Sequence, residues 1–77
     1  MSNETYRMQL IAMKTIELSD LIIKTNRQID HHKEMKKATK HSDKVEYNHH
    51  HHELKRLNKL IAIQKEELMS RQMRLFD

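Results

Sequence analysis

The chain contains no glycine, no proline and no cysteine among its 77 residues. Tight turns between β-strands draw heavily on glycine and proline, so their absence argues against a fold built from several strands. The absence of cysteine excludes disulfides and thiolate metal sites. The remaining composition is rich in Leu, Ile, Met, Lys, Glu and Gln, which favour helices, and it therefore predicts an all-α fold.

Long hydrophobic runs are also missing. Charged residues such as Glu4, Arg7 and Lys14 interrupt the N-terminal segment, where a secretory signal would need a continuous apolar core. No apolar run approaches the length of a membrane span, so we expect a cytoplasmic protein with no membrane partner. A chain without glycine cannot form a phosphate-cradling loop, and we expect neither an enzyme nor a cofactor.

Mostly apolar residues, with several polar ones among them, recur in both halves of the chain at alternating steps of three and four residues. The first series is Met8, Ile11, Thr15, Leu18, Ile22, Thr25, Ile29 and His32, and the second is Tyr47, His50, Leu54, Leu57, Ile61, Gln64, Leu68, Arg71 and Leu75. This is the a/d spacing of coiled coils, and we call each series a seam. The pattern predicts one helix over about residues 4–38 and a second over about 44–75.

The two helices are expected to fold back as an antiparallel two-helix hairpin, a single domain over residues 1–77 with its turn at about 39–43. Asp43 could cap the second helix, with Glu46 completing a capping box. This register places Ile22 opposite Ile61 and Met8 opposite Leu75. One continuous helix is the alternative, because no glycine or proline forces a break.

A second set of apolar residues lies off the seams and forms the candidate protein-binding surface: Ala12, Ile16, Ile23, Leu60, Ile63, Met69 and Phe76. An apolar stripe this wide suits a helix with more than one neighbour. We therefore expect self-association, most simply a homodimer in which two hairpins form a four-helix bundle. A different, larger protein covering the stripe is the alternative. Gln64, a polar residue within the seam, should fix register and oligomer number at the expense of stability.

Histidines and lysines concentrate around the predicted turn. His32, His49, His50 and Glu53 are candidate ligands for adventitious zinc or nickel, although consecutive histidines point around a helix and a solvated run is the simpler alternative. Clustered imidazoles beside lysines could also sense pH. The lysines of this region form a candidate nucleic-acid surface: Lys33, Lys36, Lys37, Lys40 and Lys44. Acidic residues interleaved with them, and the presence of only one aromatic residue, Tyr47, argue against nucleic-acid binding.

These features favour a protein-binding regulator, an inhibitor, adaptor or assembly factor that packs its helices on a larger partner. The small size and high Lys, Asn and Ile content are typical of a bacterial or phage accessory protein. The alternatives are a dimeric nucleic-acid-binding protein that uses the basic end, and a metal- or pH-responsive helical module that uses the histidines.

Overall fold

The structure, a computed structural model, describes the backbone of residues 3–75 and the side chains of residues 3–73. Three helices account for nearly all of this range: α1 (Asn3–Ala12), α2 (Thr15–Thr39) and α3 (Lys44–Leu75). Residues 3–75 contain no β-strand, and the predicted all-α fold is confirmed. The molecule is elongated, with extents of 52 × 22 × 17 Å.

The chain turns between α2 and α3 without the help of glycine. The backbone amides of Ser42 and Asp43 both donate to the carbonyl oxygen of Thr39, at 3.3 and 3.1 Å, and these bonds close the end of α2. Backbone bonds of this kind satisfy carbonyls that a helix end would otherwise leave unpaired. The alternative of one continuous helix is therefore wrong.

The N-terminus of α3 carries the cap predicted at Asp43. Its carboxylate Oδ1 accepts hydrogen bonds from the backbone amides of Val45 at 3.0 Å and Glu46 at 3.2 Å. The reciprocal half of the predicted capping box is absent, because the Asp43 amide donates to Thr39 and the Glu46 carboxylate lies towards His50. The cap therefore depends on a single side chain.

α2 and α3 pack along each other through the seam residues. The buried side chains of this contact are Leu18, Ile22, Thr25 and Ile29 from α2, and His50, Leu54, Leu57, Ile61 and Gln64 from α3. Residue numbers fall along α2 as they rise along α3: Lys36 lies over the ring of Tyr47, His32 contacts His50, and Thr15 contacts Arg71. Buried Thr25 satisfies its own hydroxyl by donating to the carbonyl of Leu21 at 2.9 Å.

The predicted first helix, over about residues 4–38, is interrupted at Met13 and Lys14. α1 closes with a bond from the Met13 amide to the Leu10 carbonyl at 3.1 Å. Lys14 is extended, with φ −67° and ψ 151°, and its carbonyl accepts the first bond of α2 from the Leu18 amide at 3.0 Å. The prediction of one unbroken helix is therefore wrong at these two residues.

Beyond this break, α1 folds back onto α3, and here residue numbers rise together along both helices. The contacts are Tyr6 with Gln64 at 2.7 Å, Arg7 with Glu66 at 3.1 Å, and the Leu10 carbonyl with Arg71 at 2.7 Å. Leu10 is only 1% exposed, whereas Met8 and Ile11 are 67% and 60% exposed. The predicted extension of the seam through Met8 and Ile11, with Met8 opposite Leu75, is therefore wrong.

Arg71 supplies the physical reason for the fold-back. Its guanidinium donates to the carbonyls of Leu10 at 2.7 Å and Ile11 at 3.4 Å, and to the Thr15 hydroxyl at 3.2 Å. The Glu67 carboxylate holds the same guanidinium at 3.1 Å. A cation is favourable at a helix C-terminus, where carbonyls lack partners, and helices commonly use glycine to end there. This chain has no glycine, and an arginine from α3 takes over that role.

Candidate functional site

Exposed apolar side chains concentrate in the half of the molecule remote from the 40–43 turn. Six of the seven large hydrophobic residues with exposed side chains in the described part of the chain lie there, and we call them the apolar end: Met8, Ile11, Ile16, Ile23, Met69 and Met73. The seventh, Val45, lies beside the turn and is 81% exposed. Clustered exposed apolar groups mark interaction surfaces more often than scattered ones do.

The outward placement of these residues follows from helix geometry. Ile16 and Ile23 are seven residues apart on α2, and Met69 and Met73 are four apart on α3, so each pair shares one helix face. Both faces differ from the seam, which carries the buried residues Leu18 and Ile61. Met8 and Ile11 were not expected in this set, and they turn outward because α1 is reversed at Met13 and Lys14.

The predicted protein-binding residues divide into exposed and covered groups. Ala12, Ile16, Ile23 and Met69 are exposed. Ile63 is buried at 7% exposure and Leu60 is half-buried, so this flank of α3 is already covered within the chain. Phe76 lies outside the described residues.

α1 is the element that covers this flank of α3. A shallow cavity of about 160 Å³ remains between the two helices, lined by Arg7, Ile11, Ile63, Glu66, Glu67 and Ser70. The Gln64 amide nitrogen donates to the Tyr6 hydroxyl of α1, while the Gln64 carbonyl oxygen is buried without a partner among residues 3–75. The hydrogen bond to Glu66 raises the pKa of Arg7, but both side chains are exposed and such pairs stabilise little.

At the other end of the molecule, two histidines meet across the α2–α3 contact. The Nδ1 atoms of His32 and His50 are 2.7 Å apart, so one ring must donate and the other must accept. His50 is only 5% exposed, and its Nε2 has no hydrogen-bond partner in the described part of the chain, with the Glu46 carboxylate 3.8 Å away. Partial burial lowers the pKa of His32, and the neighbouring His50 lowers it further.

A second contact between the helices joins His51 of α3 to Lys36, which lies one turn beyond His32 on α2. The Lys36 ammonium donates to His51 Nδ1 at 3.1 Å, so this ring nitrogen must be the unprotonated acceptor. The positive charge of Lys36 is also the main reason that the pKa of His51 is lowered. Each contact therefore requires at least one histidine whose Nδ1 is unprotonated.

The three predicted histidine ligands contact one another, whereas the fourth, Glu53, is bound by an arginine. The Glu53 carboxylate accepts from Arg56 at 2.7 and 3.3 Å, and this bond lowers the pKa of Glu53. His49 packs its ring 6.3 Å from that of His32, centroid to centroid. Within residues 3–75, no group of three or more His, Cys, Asp or Glu side chains is arranged to hold a metal ion.

The predicted basic residues build one wall of a groove between α2 and α3. The groove has a volume of about 350 Å³ and is lined by Lys33, Lys36, Lys37, Lys40, Tyr47 and Leu54. The Lys36 ammonium lies 5.2 Å from the centre of the Tyr47 ring. Lys44, the fifth predicted residue, is exposed in the first turn of α3 and does not line the groove.

The described part of the chain contains no helix that is both long enough and apolar enough to cross a bilayer. No protein-family model, no curated protein and no solved structure matches this chain.

Proposed function

We propose that this chain is a non-enzymatic protein-binding regulator, which acts as an inhibitor, adaptor or assembly factor by packing its helices on a larger protein. One observation carries the proposal: six exposed Ile and Met side chains gather at the apolar end, while the turn end is polar and basic. Met side chains pack adaptably and are frequent on binding surfaces. An exposed apolar cluster of this kind is stabilised when a partner removes it from water.

The scaffold for this surface is the antiparallel hairpin of α2 and α3, with α1 laid back against α3. The reversed order of contacts between α2 and α3 supports this arrangement, as does the continuous row of buried side chains between them. Docking residues on such a scaffold stand on helices, whose rigidity limits the entropy lost on binding. The outward faces of α2 and α3 carry Ile16, Ile23, Met69 and Met73.

In the absence of the larger partner, a second copy of the chain occupies the apolar end. Two copies that pair through the outward faces of their hairpins form a four-helix bundle, the simplest closed assembly for such helices. The larger protein then replaces the second copy at the same surface.

The oligomeric state tests the first part of this proposal. Light scattering coupled to size exclusion should give the wild-type chain twice the monomer mass of 9.4 kDa. The double variant Ile16→Glu/Ile23→Glu places charge on an exposed face and should halve that mass without unfolding the helices, as circular dichroism can verify. Val45→Glu changes an equally exposed residue at the other end and should remain dimeric. A wild-type monomer at every concentration, or equal behaviour of both variants, would overturn the dimer.

Affinity purification from the source cell tests the larger partner. The wild-type chain and Val45→Glu should retain the same protein, and Ile16→Glu/Ile23→Glu should lose it. The complex should then re-form from purified components with the same dependence on the variants. A protein retained equally by all three chains would contradict a role for the apolar end.

A further inference from the structure

The lysine-lined groove at the turn end has a charge pattern that packing alone does not explain. Lys33 and Lys37 are four residues apart on α2, as are Lys36 and Lys40. Like charges at this spacing repel each other and destabilise a helix. The dipole of α2 favours lysines in its last turn, but it does not select the side that faces the groove.

No carboxylate at this end of the described chain forms an ion pair with a lysine of the groove. Asp43 caps α3, Glu53 is bound by Arg56, and Glu46 lies 3.8 Å from His50. In the described part of the chain, Lys33, Lys37 and Lys40 form no ion pair with a carboxylate. Four ammonium groups therefore line one groove without an ion-paired carboxylate, although Asp30 and Glu34 stand three residues before Lys33 and Lys37 on the same helix.

The side of the groove that α3 forms is partly apolar. Tyr47 and Leu54 of α3 provide it, and the Tyr47 ring is half-buried with Lys36 above it. An aromatic ring beside a row of cations is the combination that proteins use to bind single-stranded nucleic acids, in which phosphates meet the cations and a base stacks on the ring. A ligand that carries phosphate groups but no base would contact only the lysines and not the Tyr47 ring.

From this arrangement we propose that the groove between α2 and α3 binds an anion that carries two or more phosphate groups, held by Lys33, Lys36, Lys37 and Lys40. The phosphates belong either to a free polyphosphate or to the backbone of a single-stranded nucleic acid. The groove lies at the opposite end of the molecule from the apolar end, so this site stands or falls independently of the protein-binding role.

Binding of two probes, inorganic tripolyphosphate and a labelled single-stranded oligothymidylate of about 12 nucleotides, tests the site. Calorimetry and fluorescence anisotropy at low salt should show that the wild-type chain binds at least one of them. In the groove variant Lys36→Gln/Lys40→Gln, affinity should fall about tenfold, and the salt slope for the oligonucleotide should decrease by about 1.4, or 0.7 for each lost contact.

The matched control is Lys59→Gln/Lys65→Gln, which removes the same charge from exposed positions of α3 that do not line the groove. Its affinity should change less than about twofold, because only the long-range field is altered. Equal losses in the two double variants would show that net charge alone attracts the anion, and would overturn the site. Failure of both probes to bind at low salt would overturn it as well.

Tyr47→Leu separates the two sources of phosphate. If the ligand is a single-stranded nucleic acid, this variant weakens the oligonucleotide severalfold and leaves tripolyphosphate binding unchanged, because only the base loses its stacking partner. If both probes bind the variant as they bind the wild type, the site recognises phosphate alone. Either result supports a phosphate site, provided that the groove variant has lost binding.

Discussion

Replacing Gln64 with leucine should make the molecule more stable while loosening α1. Gln64 is 1% exposed, its amide nitrogen donates to the Tyr6 hydroxyl at 2.7 Å, and its carbonyl oxygen has no partner within residues 3–75. A buried polar atom without a partner costs about 1–3 kcal/mol, whereas the hydrogen bond that is lost contributes about 0.5–1.5 kcal/mol. Leucine has a similar volume and fits the apolar seam.

The difference between these two effects predicts that Gln64→Leu raises the free energy of unfolding by about 1 kcal/mol. For a chain of this length, that corresponds to a rise in Tm of about 4–8 °C. Because the hydroxyl of Tyr6 loses its donor, hydrogen exchange should become faster in α1 even as the whole molecule becomes more stable. Chemical denaturation measures the first effect, and exchange detected by mass spectrometry measures the second.

A double-mutant cycle with Tyr6→Phe isolates the hydrogen bond between Gln64 and Tyr6. In the wild-type background, Tyr6→Phe should destabilise by about 1 kcal/mol or more, because the buried amide of Gln64 then loses its acceptor. In the Gln64→Leu background, the same change should be nearly neutral. A destabilised Gln64→Leu variant, or an equal effect of Tyr6→Phe in both backgrounds, would refute this reasoning.

Three further changes probe the turn, the fold-back and the histidine contacts. Asp43→Ala should lower the free energy of unfolding, measured by urea denaturation, by about 1 kcal/mol, whereas Asp43→Asn should keep most of the stability because asparagine can also cap a helix. Equal losses of stability in the two variants would contradict the capping role. Arg71→Met removes the donors that bind the carbonyls at the end of α1, so hydrogen exchange should become faster in α1 but not in α2. Unchanged hydrogen exchange in α1 would show that Arg71 does not hold α1 against α3. The pKa values of His32 and His51 are lowered from 6.5, so the unfolded chain binds more protons below that pH and Tm should fall between pH 7.5 and 5.5. A constant Tm over that range would mean that neutral histidines do not stabilise the α2–α3 contact.

The residues through which α2 packs on α3 could be predicted in part from sequence spacing. Seam positions from Leu18 to Ile29 and from His50 to Gln64 are buried, because alternating steps of three and four residues place side chains on one helix face whatever lies elsewhere in the chain. The cap at Asp43 was equally predictable, since a capping carboxylate acts on amides two or three residues away. Such local rules depend on short stretches of sequence.

The reversal of α1 could not be predicted in the same way. Met13 and Lys14 are ordinary helix residues, and no glycine or proline marks the break. The groups that stabilise it, Arg71 and Gln64, are fifty or more residues away in the sequence and act only once α3 is in place. The alternating spacing predicts that Met8 and Ile11 continue the seam, but in the structure Leu10 is buried and Met8 and Ile11 are exposed.

The candidate sites could also be predicted only as far as they depend on neighbouring residues in the sequence. The clustering of lysines and histidines near the turn is visible in the sequence, but which carboxylates are already engaged is not. Glu53 was a candidate metal ligand by spacing, and in the folded chain it is bound by Arg56. Lys44 was predicted to belong to the same surface as the other lysines, but it does not line the groove.

The fold-back of α1 also changes the argument for self-association. The wide apolar stripe of α3 suggested that another molecule covers it, but within the chain Ile63 is buried beside α1 and Leu60 is half-buried. A second copy therefore has less of α3 to cover than the sequence implies. The large apolar side chains that remain exposed at the apolar end are Ile16 and Ile23 on α2, Met8 and Ile11 on α1, and Met69 and Met73 on a different face of α3 from Ile63. Any partner must meet these faces, because the flank beneath α1 is reached only if the contacts of Gln64 and Arg71 are broken first.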